Sequence, residues 1–309
     1  MNIKRLEFLL TEKCNSRCIH CQGEHSPERQ GVMKVEDGLN YLEETTSVAK
    51  LDSFMIFGGE SMLYPERVIK LCQKAKELSI PEIELITNGF WGKNVDRARS
   101  LATQLKGSGV NEVLISVDAF HLPYLPLDYA RNAARACAAA GIRRVRWNIA
   151  ILESENASND FDKQTRRIME ILAPLGMEKN VNKVWPQGRA RRTLTEFFPK
   201  QSLEGKCPKV ETALVNPTCV TMDSRGWASI CWNLSIGNGK RQPLSKILIG
   251  YDWKNHPVIK TLVEHGPKGL LELPEASGFH FEENRYIDKC HLCKDIRKIV
   301  KPEYPEMFV

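Results

Sequence analysis

The stretch RLEFLLTEKCNSRCIHCQG, residues 5–23, runs from a β-rich segment straight into three closely spaced cysteines, Cys14, Cys18 and Cys21. RLEFLL (5–10) reads as a strand and the cysteines as the loop that follows it. Further strand-like runs follow: SFMIFG (53–58), EIELIT (82–87), EVLISV (112–117), RVRWNIAIL (144–152) and NKVW (182–185). Helical patterns separate them at 35–50, 65–78, 94–109 and 128–141, the second with Pro65 in its first turn and the last two ending at glycine. Units of roughly 30 residues are what a βαβ array requires. The expected fold class is therefore α/β, a partial (β/α)6 TIM-like barrel whose chemistry sits at the C-terminal ends of its strands. The three cysteines fall at such an end.

The beat stops after WPQGRARR, giving an expected barrel over 1–192 and a linker over 193–206. A small α+β domain is expected over 207–309, with hairpin patterns and five cysteines. The chain has 309 residues, 42% hydrophobic and 27% charged, ordinary for a globular protein. No apolar run is long enough to span a bilayer, and the N-terminal residues read as a strand, not a signal peptide. A cytoplasmic location and no membrane partner are expected. Net charge is +6, with basic clusters at 143–146, 188–192 and 239–241. Nothing resembles a nucleic-acid module, so these are solvated surface or anchors for a small acidic ligand.

Ten cysteines in such a chain point to metal more than to disulfides. Cys72 and Cys137 lie on apolar faces of helical patterns and are assigned to the core. The C-x3-C-x2-C spacing of Cys14, Cys18 and Cys21 suits three irons of a [4Fe–4S] cube, leaving one iron open. A structural zinc site would need a fourth ligand, for which His20 and His25 are near in sequence.

With GGE (58–60) after the second strand, TNG (87–89) after the third and SVD (116–118) after the fourth, this set resembles the radical S-adenosylmethionine (SAM) superfamily. The likeness covers the organisation of most of residues 3–190. It implies a [4Fe–4S] cluster on Cys14, Cys18 and Cys21, whose open iron chelates SAM. It also implies one-electron cleavage of SAM to a 5′-deoxyadenosyl radical that abstracts hydrogen from substrate. An external one-electron reductant of flavodoxin or ferredoxin type is implied as partner. The implied cofactor-binding residues are Gly58, Gly59, Glu60, Asn88, Ser116, Asp118, Arg146 and Val184. Gly58 and Gly59 would let backbone approach the SAM amino group. Glu60 would add charge beside that ammonium, and Ser116 would reach a ribose hydroxyl. Arg144, Arg146 and Asn148 share a strand face, from which one arginine would pair with the SAM carboxylate. VWPQGRA (184–190) looks like the segment near adenine. Ser61 stands where the family often has proline, and His20 where it often has an aromatic residue.

The C-terminal part resembles twitch and SPASM extensions, which hold auxiliary [4Fe–4S] clusters. GWASIC (226–231) and CHLC (290–293) carry the likeness. It implies a second cluster on Cys207, Cys231, Cys290 and Cys293; Cys219 in place of Cys207, or zinc in place of iron, are the alternatives. Cys219 is then spare, placed on the first strand of a hairpin with DSRG as its turn, and is a candidate hydrogen-atom donor to a substrate radical; the alternative is a buried core thiol. The expected activity is modification of a peptide, by epimerisation or another maturation step, with the peptide bound directly by the barrel or the small domain. Small-molecule dehydrogenation or epimerisation, for instance of an aminosugar, is the alternative, and a non-catalytic iron–sulfur scaffold or sensor the third reading.

Overall fold

A computed structural model describes residues 1–232 and 234–301; the last residues of the expected small domain lie outside these. One sheet organises the described residues. Its strands are β1 (Arg5–Leu9), β2 (Ser53–Phe57), β3 (Glu82–Thr87), β4 (Glu112–Ser116), β5 (Arg144–Ile151), β6 (Glu178–Lys183), β7 (Cys219–Asp223), β8 (Trp227–Cys231) and β9 (Leu234–Asn238). Their order is β6-β5-β4-β3-β2-β1-β7-β8-β9. Strands β1 to β6 pair in parallel, as the βα beat requires. Helices α1 (Val35–Val48), α2 (Pro65–Glu77), α3 (Val95–Gly107), α4 (Leu127–Ala139) and α5 (Asp160–Leu172) return the chain between them.

The outward strand faces are apolar. Leu6, Phe8, Phe54, Ile56, Leu85, Val113, Ile115, Trp147 and Ile149 are buried, and they share one core with Leu42, Leu71, Leu105 and Ala134 of the helices. Burying a side chain such as Phe8 is worth about 1.5–3 kcal/mol. Local signals start the helices. Pro65 occupies the first turn of α2, and the Asn94 and Asn159 side chains accept the N–H groups of Arg97 and Asp162 at 2.8 and 2.9 Å. Helix α5 lies outside the four helical stretches quoted above but stands where a (β/α)6 array places one, with an N-cap and an apolar stripe of Ile168, Met169 and Leu172.

Two positions differ from expectation. Strand β6 lies at 178–183 and not 182–185. It is a polar, largely exposed edge strand, EKNVNK, so no alternation marks it, and the apolar Val184 and Trp185 that suggest a strand follow it. The sheet also continues across the 193–206 segment. The hairpin of β7 and β8 forms as expected, and β7 pairs in parallel with β1, matching Arg5 to Cys219 and Leu9 to Asp223. The open edge of β1 is thereby covered.

Facing inward at the N-terminal ends of the strands is a layer of charge. Arg5 bonds Glu7 at 2.8 Å and both oxygens of Glu84 at 2.7 and 2.9 Å. Buried Glu112 accepts from Arg144 Nε at 2.9 Å and from Arg146. These pairs close the floor of the half-barrel. No helix among the described residues is long and apolar enough to cross a membrane.

Candidate radical SAM site

Cys14, Cys18 and Cys21 sit on the loop after β1 and line one cavity of about 930 Å³, within the size range of small-molecule sites. Gly58, Gly59, Asn88, Ser116, Asn148, Val184, His20 and His121 line the same cavity. The register explains the gathering: parallel strands bring the C-terminal ends of β1 to β5 to one rim.

The cysteine loop is held by backbone. Gly59 and Glu60 N–H donate to the Thr11 and Lys13 carbonyls at 2.7 and 2.9 Å. A Cβ on Gly59 would fall 2.2 Å from the Lys13 oxygen, and one on Gly58 would fall 2.6 Å from that of Thr11. Both glycines are required by this close approach of two chain segments. Gly188, at φ +56°, packs against the Gln22 carbonyl in the same way. Arg189 donates from Nη1 to the Cys18 carbonyl at 3.1 Å, from Nη2 to the His25 carbonyl, and from its backbone N–H to the Cys21 carbonyl at 3.0 Å. No sequence signal marks Arg189 for this clamp, because its partners are main-chain carbonyls more than 160 residues away.

Burial pushes the Cys14 thiol up to about 12, with the Glu60 carboxylate adding to it, and pushes Cys18 up as well. Asn88 Nδ2 lies 4.0 Å from Cys14 Sγ and donates to Asn15 at 2.8 Å. Thiols gathered in one loop, two of them too buried to ionise unaided, suit a cationic iron–sulfur cluster that stabilises their thiolates.

His20 lines the cavity with its ring stacked on Phe120, centroids 4.7 Å apart. Burial lowers its pKa to about 4. It therefore presents a flat, uncharged ring at neutral pH, which accounts for its standing where an aromatic residue is expected.

Three of the expected cofactor-binding residues lie off the cavity lining. Glu60 is fully buried and outside the cavity lining. Its carboxylate accepts from Met62 N–H at 2.9 Å, the Thr87 hydroxyl at 2.7 Å and Asn88 N–H at 2.6 Å, tying the ends of β2 and β3 together. Burial raises its pKa to about 6. Asp118 is likewise fully buried and does not line the cavity; it accepts from Phe120 N–H, Ala150 N–H and His121 Nδ1 at 2.9, 3.0 and 2.8 Å. Burial alone would raise Asp118, but His121 outweighs it and holds the carboxyl down to about 2. Asp118 acts on the cavity by fixing His121. Arg146 belongs to the charged floor with Glu112, since it lies in the N-terminal half of β5, away from the cysteine loop.

A second gathering forms between the 207–215 segment, β8 and the C-terminal helix Lys289–Val300. Cys207, Cys231, Cys290 and Cys293 line one small, mostly apolar cavity. Cys207, Cys290 and Cys293 each lie within electrostatic reach of Cys231. Cys219 is absent from this cavity and lines a third one, of about 520 Å³, with Glu7, Thr221 and Asp223. That cavity adjoins the first, sharing Glu7, Gln22, Phe57, Lys209 and Trp232. Trp185, Lys209 and Trp232 line both the cysteine-loop cavity and the four-cysteine cavity. Of these three, Trp185 falls in the VWPQGRA segment, whereas no motif contains Lys209 or Trp232.

A model described as the radical SAM superfamily matches residues 8–160. Residues 8–160 thus match a radical SAM superfamily domain. Among curated relatives, the GTP 3′,8-cyclase of Moorella thermoacetica is 24% identical over 67% of this chain and 64% of its own. YydG of Bacillus subtilis (strain 168), whose name places it provisionally in peptide biosynthesis, is 28% identical over 42% of this chain and 40% of its own. The matches span between about a third and two thirds of such relatives' lengths. Native anSMEcpe with bound AdoMet shares the fold at TM-score 0.57 and 15% identity, over 97% of this chain and 98% of that one.

Proposed function

We propose that this chain is a radical SAM enzyme that abstracts a hydrogen atom from a peptide, drawing electrons from an external flavodoxin- or ferredoxin-type reductant. The observation that carries the reading is the single cavity lined by Cys14, Cys18, Cys21, Gly58, Gly59, Asn88, Ser116 and Val184. When bound there, a [4Fe–4S] cluster and SAM supply a 5′-deoxyadenosyl radical. The chain's own residues then have separable tasks. Arg189 and the two glycines keep the cysteine loop rigid. His20 and Val184 offer a flat and an apolar wall, and Ser116 a hydroxyl beside Asn148 at 3.4 Å. Cys207, Cys231, Cys290 and Cys293 hold an auxiliary [4Fe–4S] cluster, a reading supported by their common cavity and by the exclusion of Cys219 from it.

Cys219 is then the hydrogen-atom donor that quenches the substrate radical: its S–H bond breaks as the substrate C–H bond forms, and one electron from the external reductant with a proton from water returns the thiyl radical to the thiol. Burial, with Glu7 adding to it, pushes its thiol up to about 12, so the S–H is intact at neutral pH. It opposes Arg5 in register, four residues below the level of Asp223, or about 13 Å along the strand. An extended peptide spans that drop more readily than a small metabolite. A small-molecule substrate is the second reading, favoured by the GTP 3′,8-cyclase name of the Moorella relative.

The test is anaerobic reduction of the cluster-loaded protein with dithionite and SAM. 5′-Deoxyadenosine is expected, and its absence leaves only the scaffold reading. In D2O, deuterated product is expected from the wild type and not from Cys219→Ala; deuterated epimer formed at the normal rate by the variant rules the donor role out.

A further inference from the structure

The carboxylates and cations lining the two adjoining cavities do not balance. Four carboxylates line them, and each has a cationic partner. Glu7 bonds Arg5 at 2.8 Å. Glu12 lies 3.7 and 3.6 Å from Arg29 and Arg225. Asp223 bonds Arg225 at 3.0 Å, and Glu24 pairs with Arg192. Lys209 and Lys294 also line the cavity of about 520 Å³. Both are half-buried, and neither has a carboxylate within 4 Å among the described residues, although Glu24 acts on Lys294 from farther away.

Lys209 is the more telling of the two. Its backbone N–H is bonded to Cys207. Its ammonium group rests over the Trp185 ring, 4.3 Å from the centroid, a contact that orients a cation without neutralising it. Its side chain borders both cavities of the joined space. An ammonium held against a cavity wall loses part of its hydration on folding, and an oxyanion arriving with a ligand recovers that loss.

We infer that Lys209, seconded by Lys294, forms a subsite for an oxyanion of the substrate, a carboxylate on the peptide. This inference rests on the peptide reading above. Lys209 fixes which residue of the peptide stands before the cysteine loop, and so acts in specificity. The competing role is electrostatic: both lysines lie within two residues of cysteines of the four-cysteine cavity and would offset the charge of a cluster there.

The experiment is calorimetric titration of the anaerobically reconstituted full-length protein, SAM present, with tri-glutamate, tri-glutamine and GTP. Tri-glutamate is expected to bind and tri-glutamine not. Lys209→Gln is expected to weaken tri-glutamate at least tenfold, Lys209→Arg to restore it, and Lys294→Gln to weaken it less. Each variant is checked by iron content and by the reduction potential of its clusters. Equal binding of tri-glutamate by wild type and Lys209→Gln overturns the subsite. So does a shifted potential with tri-glutamate binding intact, which would assign the lysine to the cluster. Binding of GTP but not of tri-glutamate overturns the peptide carboxylate in favour of a phosphate ligand. Failure of the parent reading is seen separately, as wild-type protein that makes no 5′-deoxyadenosine.

Discussion

Replacing Glu60 by glutamine sets two effects of similar size against each other. The carboxylate is fully buried and has three donors, two on Oε1 and one, Asn88 N–H at 2.6 Å, on Oε2. A glutamine in the same pose puts its NH2 where Oε2 stands, facing that N–H donor to donor. Losing a charged hydrogen bond and stranding a buried N–H costs about 3–5 kcal/mol together. Against this, the wild type bears a desolvation cost: its pKa rises from 4.5 to about 6, worth about 2 kcal/mol at neutral pH. The net expectation for Glu60→Gln is about 1–3 kcal/mol of destabilisation at pH 7. The pH dependence gives the sharper check. An acid whose folded pKa is raised binds its proton more readily in the folded state, so the wild type gains stability as pH falls through about 6 toward 4.5. The variant lacks that gain, so the gap between the two widens by up to about 2 kcal/mol on acidification. Urea unfolding of paired preparations at pH 7 and pH 5, followed by tryptophan fluorescence, measures it. A gap that stays constant or narrows in acid refutes the reasoning.

Other changes separate the cysteines and their supports. Cys207→Ser is expected to lower iron content after reconstitution by roughly half, one of two four-iron clusters being lost, while Cys219→Ser leaves it unchanged; iron analysis decides between them. Gly59→Ala puts a Cβ 2.2 Å from the Lys13 oxygen and 2.5 Å from its carbonyl carbon, so the cysteine loop must move, and both the visible absorbance of its cluster and 5′-deoxyadenosine formation should fall severely. Asp118→Asn removes a carboxylate held down to about 2; its stabilising contribution is present above pH 3.8 and lost as pH falls through about 2, so at pH 7 the variant should unfold at lower urea and His121 should titrate at lower pH by NMR.

Much of the half-barrel was legible because its strands carry one apolar face and its helices carry stops and starts at Pro65, Asn94 and glycine. Strand β6 was displaced because an edge strand with two wet faces has no alternation to read. Motif spacing located the cysteine loop, but it could not say where each motif side chain goes. GGE and SVD mark the right rim, yet Glu60 and Asp118 turn away from it to satisfy buried N–H groups. Arg146 shares a strand face with Asn148, and only the register shows that two residues along a strand separate floor from cavity. Cys207 and Cys219 were indistinguishable by spacing, because the choice depends on a helix some 80 residues downstream.

The pairing of β7 with β1 also sets an order in time. The strand that leads into the cysteine loop is made first, and the strand that covers its outer edge begins 214 residues later, at Cys219. At the usual pace of a ribosome that interval is about 10 to 40 seconds. Throughout it, β1 offers a row of unpaired backbone groups beside three thiols. A chain cut short near residue 192 would keep that condition permanently, and should aggregate through β1 even though its βα units are all present.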